Sequence, residues 1–156
     1  MPTNPDYDEA LAHKYFSVQC FNQAWDLIDK ADRTPAEDRL MEALSQASIY
    51  HWLQRSDCSN QSLSVGYWQA SRIQALLGHA PEALRHAQAC LAYSHELAPF
   101  YLGYAHEALA RAYALAGNPT AAAEHIRAAV EFANLVQDES DGAALLADLK
   151  TIPIQR

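Results

Sequence analysis

Leu109-Ala110-Arg111-Ala112-Tyr113-Ala114-Leu115-Ala116-Gly117-Asn118-Pro119 is the stretch on which the fold turns. Its first eight residues are strong helix formers and small side chains, and Gly117 relieves the left-handed position that closes a helix. Gly117-Asn118-Pro119 then turns the chain into a further helix carrying Ala122, Ile126 and Ala129. The same arrangement stands 39 residues earlier around Gly78. Arg72 then matches Arg111, Ala75 matches Ala114, Leu76 matches Leu115, Ala83 matches Ala122, His86 matches His125 and Ala89 matches Ala128. An alanine five residues after the turn glycine lets the second helix of each pair lie against the first, and the spacing is that of stacked helix pairs.

Outward from this repeat, helical signals cover the rest of the chain. Asn4 and Pro5 form a capping and first-turn pair, after which Tyr7, Leu11, Tyr15, Val18, Phe21, Trp25 and Ile28 recur every three or four residues up to about Lys30. Thr34-Pro35-Ala36-Glu37 is a capping box that starts a second helix reaching about Gln54. Its buried candidates are Leu40, Ala43, Leu44, Ala47 and Tyr50-His51. A polar break at Asp57-Cys58-Ser59-Asn60 precedes a third helix to Leu77, and Pro81 opens a fourth with Ala83, Leu84, Ala87, Leu91 and Leu97 inside. Pro99 marks the next boundary, with a fifth helix over about 100–116. The acidic segment 138–141 is expected as a turn before a short closing helix over 142–150. The expectation is an all-α, right-handed stack of antiparallel helix pairs, six or seven helices in one domain, paired over about 5–54, 59–97 and 100–136.

Composition agrees with close helix packing: half of the 156 residues are hydrophobic, and only five are glycine. A net charge of −8, with eleven Lys and Arg scattered rather than clustered, speaks against nucleic acid, which demands a concentrated basic face. No apolar stretch reaches the roughly 18 residues of a membrane span, and Met1-Pro2-Thr3-Asn4-Pro5 lacks the basic and apolar parts of a signal peptide. Cys20, Cys58 and Cys90 are far apart and read as free thiols of a reducing cytoplasm.

The segment 109–119, with its alanine, aromatic and glycine positions, resembles the tetratricopeptide repeat; the unit from Tyr67 to about Glu96 does so more loosely, with Ser71 and Gln74 at positions usually small and aromatic. Ala24-Trp25-Asp26-Leu27-Ile28-Asp29-Lys30, Asp32-Arg33-Thr34-Pro35, Gly66-Tyr67-Trp68-Gln69-Ala70-Ser71-Arg72 and Ala105-His106-Glu107-Ala108-Leu109-Ala110-Arg111-Ala112 look like a small group of bacterial tetratricopeptide-like proteins of about this length. The resemblance implies the fold and a bacterial origin, and brings no activity with it. It also implies that the first helix of each pair lines a concave groove. Carried over by position, Val65, Trp68, Arg72 and Ala75 come from one unit and Tyr104, Glu107, Arg111 and Ala114 from the next.

Arg72 and Arg111 on neighbouring helices could hold a carboxylate, with Trp68 and Tyr104 as flat walls, so a groove for an acidic peptide or chain terminus is one reading. The other pairs Arg72 with Glu107 across the interface and Arg111 with a carboxylate of the last helices, and puts Trp68 in the core with Trp25 and Trp52. The function expected is a cytoplasmic, non-catalytic adaptor for a protein or peptide. The alternatives are self-association, with the closing helix and its Ala143, Leu146 and Leu149 capping the stack or exchanged in a homodimer, and a small-molecule pocket around Trp52, Trp68 and His51. No phosphate loop, dinucleotide glycine pattern or nucleophile elbow is present. His86 and Cys90 share a helical face but are two ligands where zinc needs three or four, so no metal or cofactor is expected. His51 and His125 read as buried histidines with a backbone partner each.

Overall fold

The computed structural model describes residues 7–154, and every described element is helical. Among the described residues seven helices follow one another: α1 (Glu9–Ile28), α2 (Pro35–Leu53), α3 (Asn60–Leu76), α4 (Ala80–Ser94), α5 (Pro99–Leu115), α6 (Pro119–Ala133) and α7 (Glu139–Lys150). No strand occurs among the described residues. The all-α expectation is met. The chain divides into two compact units, one ending at Ser59 and the other beginning at Asn60.

The first unit is the hairpin of α1 and α2. The expected start at Asn4 and Pro5 lies outside the described residues; α1 begins at Glu9, where the Asp8 side chain accepts from the Leu11 N–H at 3.0 Å. The capping box forms as the residues dictate: Glu37 N–H donates to Thr34 Oγ1 at 3.2 Å, and Thr34 N–H to Glu37 Oε2 at 2.8 Å.

The seam of this hairpin differs from expectation. Ser17, Cys20 and Ala24 of α1 are buried with Met41, Ser45, Ser48 and Ile49 of α2. Tyr7, Leu11, Tyr15 and Val18 are 45–63% exposed, and Phe21, Trp25 and Ile28 are half-buried. On α2, Leu40 and Tyr50 are about half exposed, Ala43 is exposed, and Leu44, Ala47 and His51 are half-buried. Periodicity runs equally through the large-apolar row and the small row. The small row wins because it lets the backbones approach, as the 2.7 Å bond from Ser48 Oγ to the Ser17 carbonyl requires.

The second unit holds two helix pairs and a closing helix. Gly78 and Gly117 both take positive φ, +80° and +76°. Each turn closes with the same long backbone bond, His79 N–H to the Gln74 carbonyl and Asn118 N–H to the Tyr113 carbonyl, both 2.9 Å. The 39-residue correspondence is thus a correspondence of backbone geometry. α4 is packed on α3, and α6 on α5, through alanines with no exposed surface: Ala83, Ala87, Ala122 and Ala129. Leu84 and Leu91 are half-buried, and Leu97 follows the end of α4, half-buried in the connection to α5. α5 also packs on α3 and α7.

α7 starts at Glu139, a turn earlier than expected. Asp138 accepts from the Asp141 N–H at 3.0 Å, and the acidic residues 138–141 are a cap and first turn suited to the helix dipole. Leu145, Leu149 and Ile152 close the core with Ala110, Ala129 and Ala133. α7 packs on its own unit, as the capping reading had it; of the residues named for it, Leu149 is buried, Leu146 half-buried and Ala143 exposed. No helix among the described residues is long and apolar enough to cross a membrane.

Candidate functional site

Trp68, Arg72, Tyr104, Glu107 and Arg111 come together in the second unit, on the apposed faces of α3 and α5. The repeat register explains it: Trp68 and Glu107 occupy equivalent positions, so the two helices lie side by side with these residues abreast. Trp68 Nε1 donates to Glu107 Oε2 at 2.9 Å. Arg111, one turn on, grips the other carboxylate oxygen with Nε at 2.9 Å and Nη2 at 2.7 Å. Arg72 Nη2 stands 3.9 Å from the same oxygen. Glu107 is 1% exposed, so its charge is carried inside the protein by these donors rather than by water.

Two residues that the sequence did not single out complete the network. Asp148 on α7 accepts from the Tyr104 hydroxyl at 2.9 Å and lies 3.6 Å from Arg72 Nη2. Arg111 Nη2 also donates to the Asp148 carbonyl at 3.1 Å and to Thr151 Oγ1 at 2.8 Å. Burial first, and then the bond to Asp148, push the Tyr104 phenol up, so it stays a donor over the whole physiological range. Of the residues expected to pack from the closing helix, Ala143, Leu146 and Leu149, only Leu149 lies on its buried face, and Asp148, next to it, is the boundary polar residue.

Two arginines thus meet two carboxylates: Arg72 faces Glu107 across the interface as the pairing reading had it, but Arg111 holds Glu107 on its own helix and reaches only the backbone carbonyl of Asp148, whose carboxylate faces Arg72 instead. Trp68 and Tyr104 are half-buried, edge to face at 5.3 Å, with the Arg72 guanidinium 5.7 Å from the Trp68 ring centre. Of the other groove positions, Val65, Ala75 and Ala114 are half-buried.

Beside this network, toward the N-terminal ends of α3 and α5, the surface opens into a pocket of about 210 Å³. Val65, Trp68, Phe100, Tyr101 and Tyr104 form its sides, with Ser64 and Cys90 in its lining. Ser64 Oγ is paired with Ser94 Oγ at 2.8 Å, and Cys90 Sγ lies 3.8 Å from Ser64 Oγ. Burial pushes the Cys90 thiol up to about 11, so it stays neutral.

The histidines do not converge on a centre. His13 and His51 of the first unit face each other Nδ1 to Nδ1 at 2.7 Å, and His106 and His125 of the second do so at 3.0 Å. The partner of His51 and of His125 is therefore another imidazole, and not the backbone group expected. His125 stacks on Tyr113 and His106 on Phe132. Burial is the leading cause that lowers His51, His86, His106 and His125 below the ordinary imidazole value. Among the described residues no three His, Cys, Asp or Glu side chains are placed to hold a metal ion. Trp52 and His51 stand in the first unit, where Trp52 is covered by the Arg55 guanidinium at 3.7 Å, while Trp68 is in the second.

Comparison with protein-family models, curated proteins and solved structures finds no match to this chain.

Proposed function

We propose that the chain is a non-catalytic binding module of tetratricopeptide type, an adaptor of a bacterial cytoplasm that holds a protein or peptide segment along the groove of α3 and α5. The observation that carries this reading is the half-open aromatic pocket beside an internally neutralised charge network on that one face. A rigid, ion-paired floor with flat apolar walls recognises by shape, as groove binders do, and costs little ordering on binding. Three free cysteines suit a reducing compartment.

Because Arg72 and Arg111 hold Glu107, replacing them would disturb the scaffold together with the groove. Val65, half-buried at the pocket, is the cleaner probe. Affinity capture from the native cell extract with the parent protein, Val65→Arg and the exposed control Arg127→Ala tests the proposal. A partner retained by the parent and the control, and lost at least tenfold with Val65→Arg at unchanged helical circular dichroism, is the expected result. Equal capture by all three would refute the groove.

Self-association is the second reading, favoured by the exposed row Tyr7, Leu11, Tyr15 and Val18 of the first unit. Light scattering decides it, since a monomer mass independent of concentration removes it.

A further inference from the structure

Size and polarity together narrow what the pocket between α3 and α5 accepts. A dry cavity of about 150 Å³ lined by apolar side chains takes benzene. The present pocket, at about 210 Å³, is one step larger and holds a substituted benzene or a two-ring system. Its walls are themselves ring faces and edges, from Trp68, Phe100, Tyr101 and Tyr104. Such walls favour an inserted ring through edge-to-face and offset contacts at centroid separations of about 4.5–7 Å.

Polarity excludes charged occupants. Trp68 Nε1 is given to Glu107, the Tyr104 hydroxyl to Asp148, and Ser64 Oγ to Ser94. The Cys90 side chain, 1% exposed, is a thiol at neutral pH. A carboxylate entering here would leave water for walls whose Trp68, Tyr104 and Ser64 donors are engaged, and the two arginines beside it are already neutralised by Glu107 and Asp148. Of the two readings the sequence left open, the one with an acidic ligand held by the two arginines is the opposite of this.

We propose that this pocket seats an uncharged aromatic ring of one or two fused cycles, presented as a side chain by the segment bound along α3 and α5. The ring specificity stands on the pocket alone; its presentation by a peptide rests on the adaptor reading above. The bound ring contacts Val65, Phe100 and Tyr101 at the rim and reaches toward Ser64 and Cys90.

The test is a titration of the isotope-labelled full chain, followed by amide resonances of Ser64, Val65, Cys90 and Tyr101. Indole is expected to shift them in fast exchange with a Kd on the order of 1 mM. In Val65→Trp the introduced indole fills the pocket, and the shifts disappear while circular dichroism stays helical. Should that variant lose its helical signal, Val65→Phe is read in its place, with at least a fivefold weakening expected. Indole-3-acetate gains nothing over indole. A tenfold gain for the acetate would restore the arginine clamp and overturn the proposal, as would shifts that persist unchanged in the filled variants, or none at about 10 mM indole.

The source of the ring is read separately. The peptide acetyl-Ala-Ala-Trp-Ala-Ala-amide should bind at least tenfold more tightly than indole, because its backbone adds contacts along the groove. Equal affinities would overturn presentation by a segment, and the adaptor reading with it, while the ring site itself stood on the indole arm.

Discussion

Glu107 concentrates the physics of the second unit in one side chain. A carboxylate that is 1% exposed persists because an indole N–H and a guanidinium each donate to it. Removing it strands Arg111 in a half-buried setting, and breaking such a pair costs about 3–5 kcal/mol. Glu107→Ala should therefore lower the urea midpoint by an amount equivalent to about 3 kcal/mol. Glu82→Ala, which breaks an exposed pair with Arg85, should leave it nearly unchanged. Equal effects of the two would show that Glu107 is solvated. Cys90 gives a second handle. Its thiol, raised from 9.0 to about 11, forms little thiolate at pH 8, and the thiolate is the nucleophile. Iodoacetamide should modify the half-buried Cys58 first and Cys90 only as fast as the second unit opens, which mass spectrometry of timed digests measures. The raised folded-state pKa also sets a sign: stability from Cys90 is complete below pH 9 and is lost as pH rises toward 11.

Helices in this chain touch through small residues, and one close approach shows how little room is left. A Cβ on Gly103 of α5 would collide with Leu145 Cδ2 and would sit 3.4 Å from Phe132 Cβ. Leu145 has no exposed surface, so it cannot move into solvent. Gly103→Ala should consequently destabilise by about 1–3 kcal/mol, although alanine in a free helix would gain about 1 kcal/mol over glycine. A thermal melt checks this, and a stabilised variant would mean that α7 yields. The elements themselves were legible because caps, turn glycines and prolines are local. The capping box at Thr34 and the glycine turns at 78 and 117 formed where the residues placed them. The face that α1 buries was not, because a row of serine, cysteine and alanine has the same helical period as a row of large apolar residues. Choosing between them needs the distance to α2.

Across the molecule, acid is the condition that should separate strong from weak parts. His86, His106 and His125 are held below the ordinary imidazole value in the folded chain, chiefly by burial. The unfolded chain binds more protons as pH drops below about 6.5, so their stabilising contribution is complete above that pH and is lost as pH falls through the folded values. Melting temperature should decline from pH 7 toward pH 5, and His106→Phe should flatten the decline. An unchanged slope would show that the imidazole pair does not open on protonation. The two units should also differ in hydrogen exchange. The buried residues of the first are largely small and polar, Ser17, Cys20, Ala24, Ser45 and Ser48 beside Met41 and Ile49, whereas Leu145, Leu149 and Ile152 close a larger cluster in the second. Amides of α1 and α2 should exchange well before those of α5.

The glycine turns at 78 and 117 and the side-by-side register of Trp68 with Glu107 and Arg72 with Arg111 were written in the chain, because propensity, caps and a 39-residue repeat act over short distances or through identical geometry. Which small row α1 buries, the imidazole-to-imidazole contacts, and the role of Asp148 depended on packing between segments far apart in sequence. So did the outcome for the two arginines: a guanidinium looks available until the carboxylates that neutralise it are brought within 4 Å, as packing brings Asp148 of the last helix to Arg72 and Glu107 to both arginines.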